Sequence, residues 1–136
     1  MNSTTHRRSA NAYTQAQVNT AGPGQRVVMM YEGILKNLRI GLNGLDNNAP
    51  GDLEKVHNAL QLAERLILEL RLALDKENGG EVAANLDDLY DFWSRHVSTA
   101  NAKKDRQMVA DVIGMVQTMR DTWEEAVQSA RQQGVL

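Results

Sequence analysis

Residues 52–74 read DLEKVHNALQLAERLILELRLAL, and the spacing of their apolar side chains decides the fold class. Leu53, Val56, Leu60, Ala63, Ile67, Leu70 and Leu74 follow one another in alternating steps of three and four. Such steps hold side chains on one stripe of a helix, whereas a strand alternates every second residue. Asp52 stands where an N-cap belongs, because a short carboxylate can accept the free N–H groups of a first turn. Asn78, Gly79 and Gly80 supply the stop.

The same period extends on both sides of this segment. Upstream, Val27, Tyr31, Ile34, Leu38, Leu42 and Leu45 share one stripe. Gly22 and Pro23 fit its start, since the missing proline N–H costs nothing in a first turn. Gly44, Asn47, Asn48, Pro50 and Gly51 form its end and the following loop. Downstream, Val82, Leu86, Leu89, Trp93, Val97 and Ala100 make a third stripe, and Asn101 with Asp105 marks a tight turn and a new N-cap. Val109, Val112, Val116, Met119, Trp123, Ala126 and Ala130 make a fourth. Four helices of about 20 residues, each roughly 30 Å long and joined by short loops, pack as antiparallel neighbours. The predicted fold is all-α: an up-down-up-down four-helix bundle over residues 22–136, preceded by a mobile or loosely docked segment over residues 1–21.

Composition agrees with this class and excludes others. With only six aromatics among 136 residues, the apolar fraction of 42% is mostly Leu, Ala, Val, Met and Ile, of which most favour helix over strand. Without cysteine there are no disulfides and no thiolate metal sites, and no apolar run approaches the roughly 18 residues of a membrane span. The balance of 17 acidic against 15 basic residues offers no general grip on nucleic acid. Neither nucleic acid binding nor membrane insertion is expected. The first acidic residue is Glu32, so the polar start carries Arg7, Arg8 and Arg26 unbalanced. It buries too little to fold alone, and it lacks the apolar core of a signal peptide.

Catalytic and metal signatures are incomplete. A carboxylate-bridged two-metal site in a bundle needs two Glu-x-x-His pairs and two further inward glutamates, but only Glu54 and His57 form such a pair. Gly22-Pro23-Gly24 follows no strand and lacks the lysine of a phosphate loop. Residues 75–81 are too few for a twelve-residue calcium loop. No nucleophile stands beside a base at a recognisable spacing. The expectation is a non-enzymatic protein without cofactor or metal.

Surface features then carry the functional reading. The second helix holds more leucines than one stripe requires: Leu62, Leu66 and Ala73 are placed on nearly the opposite face, with Leu68 and Leu72 beside them. A second apolar face serves a covering segment or a partner, and a groove for an amphipathic helix is the sharper reading. On the third helix Asn85, Phe92 and His96 flank the core stripe and fit the rim of such a groove. Tyr13, isolated in polar sequence, fits an anchor that docks the leading segment.

An ordered set of residues then brings a family into view. Tyr13, Gln17, Val18, Thr20, Pro23 and Gln25 precede Met29-Met30-Tyr31-Glu32-Gly33. Further on come Gly79-Gly80-Glu81, Asn85-Leu86, Leu89-Tyr90-Asp91-Phe92, Ala100-Asn101, Asp105 and Trp123. From about Tyr13 to Ala126 the chain resembles the flagellar secretion chaperone family FliS, with Arg26 and Met30-Tyr31-Glu32-Gly33 as departures from its usual run. The resemblance implies a cytoplasmic chaperone that binds the disordered, amphipathic C-terminal segment of flagellin, prevents premature polymerisation and delivers it to a component of the flagellar type III export gate. It further implies that Tyr13, Gln17 and Val18 form a cap that the client displaces. Together with the leucine pattern it places the client groove at Leu62, Leu66, Leu68, Leu72, Asn85, Leu89 and Phe92, and keeps Tyr31 in the core. A monomer or weak homodimer is expected. The alternative is a helical module that homo-oligomerises through the second face of helix two.

Overall fold

The structure, a computed structural model, describes residues 22–134. They form four helices: α1 (Pro23–Asn47), α2 (Asp52–Leu72), α3 (Gly80–Lys103) and α4 (Arg106–Gln132). Short links make sequential helices antiparallel neighbours, and α4 closes the ring against α1. This is the up-down-up-down bundle predicted from the spacing.

Local chemistry sets each boundary. Pro23 opens α1 behind an extended Gly22, whose carbonyl accepts the Arg26 N–H at 2.9 Å. At its far end Asn48 adopts the left-handed conformation (φ 49°) and its N–H returns to the Gly44 carbonyl, a common way to stop a helix. Gly51 turns the chain into α2 at φ 83°. Asp52 is therefore not the N-cap expected for α2 but its first helical residue, and its carboxylate accepts the Ala49 N–H of the loop at 2.7 Å. Asp105 does cap α4, accepting from Gln107 N and Met108 N.

The α2 stripe holds in its middle and fails at its ends, and the third and fourth stripes are shifted in part. Val56, Leu60, Ala63, Ile67 and Leu70 are buried as read, but Leu53 is exposed and α2 stops at Leu72, before the Asn78 to Gly80 stop. On α3 the exposed Val82 gives way to Ala83, which with Tyr90 and Val97 forms a buried row at seven-residue intervals. On α4, Val127 replaces the exposed Ala126 in the core. Val127 lies about three full turns beyond Val116, so it returns to the same face.

The core is aliphatic around one aromatic trio. Tyr31, Tyr90 and Trp93 are fully buried with ring centroids 5.4 to 6.4 Å apart. α1 and α2 approach closely because Gly41 and Gly44 face them: an added Cβ would lie 2.7 Å from Leu60 and 2.6 Å from Val56 respectively. No helix among the described residues is long and apolar enough to cross a membrane.

Candidate functional site: the cleft between α3 and α4

The four seams of the bundle are held together in different ways. Glycines close the α1/α2 seam. Polar bonds stitch α1/α4: Arg120 donates to Glu32 at 3.1 Å, Arg39 to Gln117 at 2.7 Å and Arg131 to Gln25 at 3.4 Å. The α2/α3 seam is stitched by Arg71, which donates to Asp87 at 2.8 Å and to Asp91 at 3.0 Å. That bond raises Arg71 above its ordinary pKa, and it is the largest cause holding Asp87 below the usual carboxylate range. At the other end of this seam the Asn101 amide donates to His57 Nδ1 at 3.2 Å, and Lys104 holds the Asn101 carbonyl. His57 is thus committed to Asn101 across the seam rather than to Glu54, its neighbour in the Glu-x-x-His pair. Among the described residues no group of three or more His, Asp or Glu is placed to hold a metal.

The α3/α4 seam differs. Its helices pack most loosely, and among the described residues no side-chain hydrogen bond or ion pair joins them. A cleft of about 570 Å³ opens along it. Leu89 and Trp93 form the α3 wall; Ala110, Gly114, Met115 and Met119 form most of the α4 wall. Methionine suits such a wall, since its flexible thioether adapts to different apolar partners. Two polar atoms on α3, Trp93 Nε1 and His96 Nε2, are buried without a hydrogen-bond partner among the described residues. His96 also stacks on Phe92, with centroids 5.3 Å apart, and Phe92 is itself 40% exposed.

The groove expected from the sequence is not one surface. Leu89 lines the cleft. Phe92 and Asn85, about one turn to either side of it, are exposed. The four α2 leucines lie elsewhere, because α2 packs between α1 and α3, across the bundle from α4. Leu66, expected away from the core, is half-buried against it, and its side chain lies 3.4 Å from where a Gly33 Cβ would be on α1. Leu68 is two residues further, about 200° around the helix, so it belongs to the other flank. Leu62 stays with Leu66 and Leu72 with Leu68, each pair being four residues apart. Leu72 is 84% exposed. The cap residues Tyr13, Gln17 and Val18 lie outside the described residues.

Two features escaped the sequence reading. Tyr90 was not on the third stripe, although a large aromatic seven residues before Val97 shares its face. The α4 wall was also missed, since small residues and methionines on a helix flank carry a weak periodic signal; the interior Gly114 was the available clue.

Comparison with known proteins places the chain. The family model described as flagellar protein FliS matches residues 6–130. The chain is 38% identical over 120 residues to the flagellar secretion chaperone FliS of Bacillus subtilis, covering 88% of this chain and 86% of that one. It is 31% identical over 127 residues to the flagellar secretion chaperone FliS of Escherichia coli, covering 90% and 91%. A crystal structure of a bacterial flagellar chaperone shares the fold, with a TM-score of 0.71 at 20% identity over 91% of this chain and 98% of that one.

Proposed function

The chain belongs to the flagellar protein FliS family, and from that premise we propose that it is a cytoplasmic chaperone for the C-terminal segment of flagellin, held in the α3/α4 cleft until export. It works without catalysis or cofactor: capture is burial of an amphipathic helix in an apolar groove. A subunit whose terminal helices later pack in a filament carries an apolar stripe that would self-associate if left bare, and covering that stripe delays assembly. Ordering a disordered segment on binding keeps affinity moderate, which favours release at the export gate.

The observation that carries the reading is the α3/α4 seam: apolar walls, the exposed Phe92, and no polar stitching among the described residues. Leu89 and Phe92 are the client contacts on α3, with Asn85 at the rim; Met115 and Met119 are those on α4. Leu68 and Leu72, exposed on the far flank of α2, offer a second apolar surface to the rest of a long client. In the free chain Tyr13, Gln17 and Val18 act as a displaceable cap. The cysteine-free composition suits a reducing compartment.

The test is size-exclusion chromatography and calorimetry of the protein with a synthetic flagellin C-terminal peptide. A one-to-one complex that is lost in Phe92→Asp and Met115→Asp, both still helical by circular dichroism, supports the reading. Absence of binding at micromolar concentrations sinks it. A chain that self-associates without peptide, and becomes monomeric in Leu68→Glu/Leu72→Glu, would instead favour the homo-oligomeric module suggested by those two exposed leucines.

A further inference from the structure

Glycine in the interior of an exposed helix is unfavourable relative to alanine, so each such glycine raises the question of what it makes room for. On α1 the answers are internal. A Cβ at Gly41 would meet Leu60, one at Gly44 would meet Val56, and one at Gly33 would touch Leu66. Gly114, in the middle of α4, has no such neighbour among the described residues: beyond its own stretch of helix, a Cβ there meets none of their heavy atoms within 4 Å, and its φ is not in the left-handed range. Nothing in the described fold requires a glycine at this position.

Gly114 lines the α3/α4 cleft between Ala110 and Thr118, each four residues away on the same face. The Thr118 hydroxyl turns back onto the Gly114 carbonyl at 3.1 Å, which keeps the stripe low. Trp93, 0% exposed, also lines the cleft, and its indole N–H is buried without an acceptor among the described residues. Asp111, on the same wall, receives only the Gln107 amide of its own helix, and no ion pair among the described residues involves it. A low stripe and an unmatched carboxylate together describe a complementary surface: a helix that comes close and bears a cation at its flank.

We propose that Gly114 is the close-approach point for a helix of the client, which lies along α4 with a small residue over Gly114 and a lysine or arginine beside Asp111. This rests on the client assignment made above and specifies how the client is recognised. Close backbone approach selects by shape, rejecting helices with a bulky residue at that register, while Asp111 selects by charge.

The experiment uses the full chain, a synthetic flagellin C-terminal peptide, and the variants Gly114→Ala, Gly114→Leu and Asp111→Asn. Gly114→Ala is expected to raise the thermal midpoint of the free protein by about 2 to 4 °C, because the helix gains and nothing among the described residues clashes. Gly114→Leu is expected to weaken peptide binding at least about tenfold by overpacking. Asp111→Asn is expected to weaken binding at low ionic strength and to flatten its salt dependence. Peptide affinity unchanged in Gly114→Leu overturns the proposal while leaving the client assignment intact. Failure of the unaltered protein to bind the peptide overturns the client assignment and this inference with it.

Discussion

The hydroxyls of Tyr31 on α1 and Tyr90 on α3 meet 2.5 Å apart at the centre of the bundle, joining the two helices of one diagonal. Both side chains are buried, so the pair satisfies two polar groups that would otherwise be stranded among aliphatics. Burial is the first cause that raises both hydroxyls above the ordinary tyrosine pKa; for Tyr31 the Tyr90 hydrogen bond raises it further.

This pair predicts a loss of stability in alkali. The native state keeps its tyrosyl protons, whereas the unfolded chain sheds them near pH 10. Stability is therefore intact below about pH 10 and falls above it, by at most about 1.4 kcal/mol per pH unit for each tyrosine. Denaturant titrations between pH 8 and 11.5 measure the slope, and Tyr31→Phe/Tyr90→Phe should flatten it. At neutral pH either single phenylalanine leaves one buried hydroxyl unpaired and costs about 1 to 3 kcal/mol, while the double variant costs less than the sum.

At the α1/α2 seam the sign of a glycine replacement is opposite to that at Gly114. Gly44→Ala puts a methyl 2.6 Å from the Cγ2 of Val56, a fully buried, branched residue with little freedom to move. We expect destabilisation of about 1 to 3 kcal/mol by chemical denaturation. A stability equal to that of the unaltered protein would mean that the two helices are not in close contact there.

The leucines of α2 separate by flank. Leu66→Ala removes a half-buried side chain packed on the core and should cost about 1 to 2 kcal/mol. Leu72→Ala, at an 84% exposed position, should change stability by less than about 0.5 kcal/mol. Thermal melts of the two variants side by side decide it, and equal losses would contradict this placement.

The cap of α4 is a further point of control. Asp105→Ala leaves Gln107 N and Met108 N without their acceptor and should cost about 1 kcal/mol. Asp105→Asn should retain most of that stability, because the amide oxygen can still accept. Equal losses in the two variants, measured in urea, would argue against the cap.

How much of this was legible in the sequence follows from what periodicity encodes. It gives the angle of a residue around its own helix, so the interior of the α2 stripe, Val56 to Leu70, was read correctly, whereas on α3 the buried Tyr90 fell outside the stripe. It does not give which neighbour each flank of a helix faces. The α2 leucines were therefore joined to α3 residues in one groove, although Leu66 turns toward α1 and Leu89 toward α4. Stripe ends failed for a related reason: Leu53 and Val82 stand at helix starts, where helical phase alone does not ensure a neighbour to cover them. The α4 wall was hardest to see, since Gly114 and Ala110 signal by what they lack.

The link between α3 and α4 consists of Lys104, in the left-handed conformation, and Asp105, which caps the next helix. So short a hinge anchors one end of the seam, and Leu89 lies about 22 Å along α3 from it. At that lever arm a 5° tilt becomes about 2 Å of separation. A tilt of that size at these two residues would break no side-chain hydrogen bond or ion pair across the seam among the described residues.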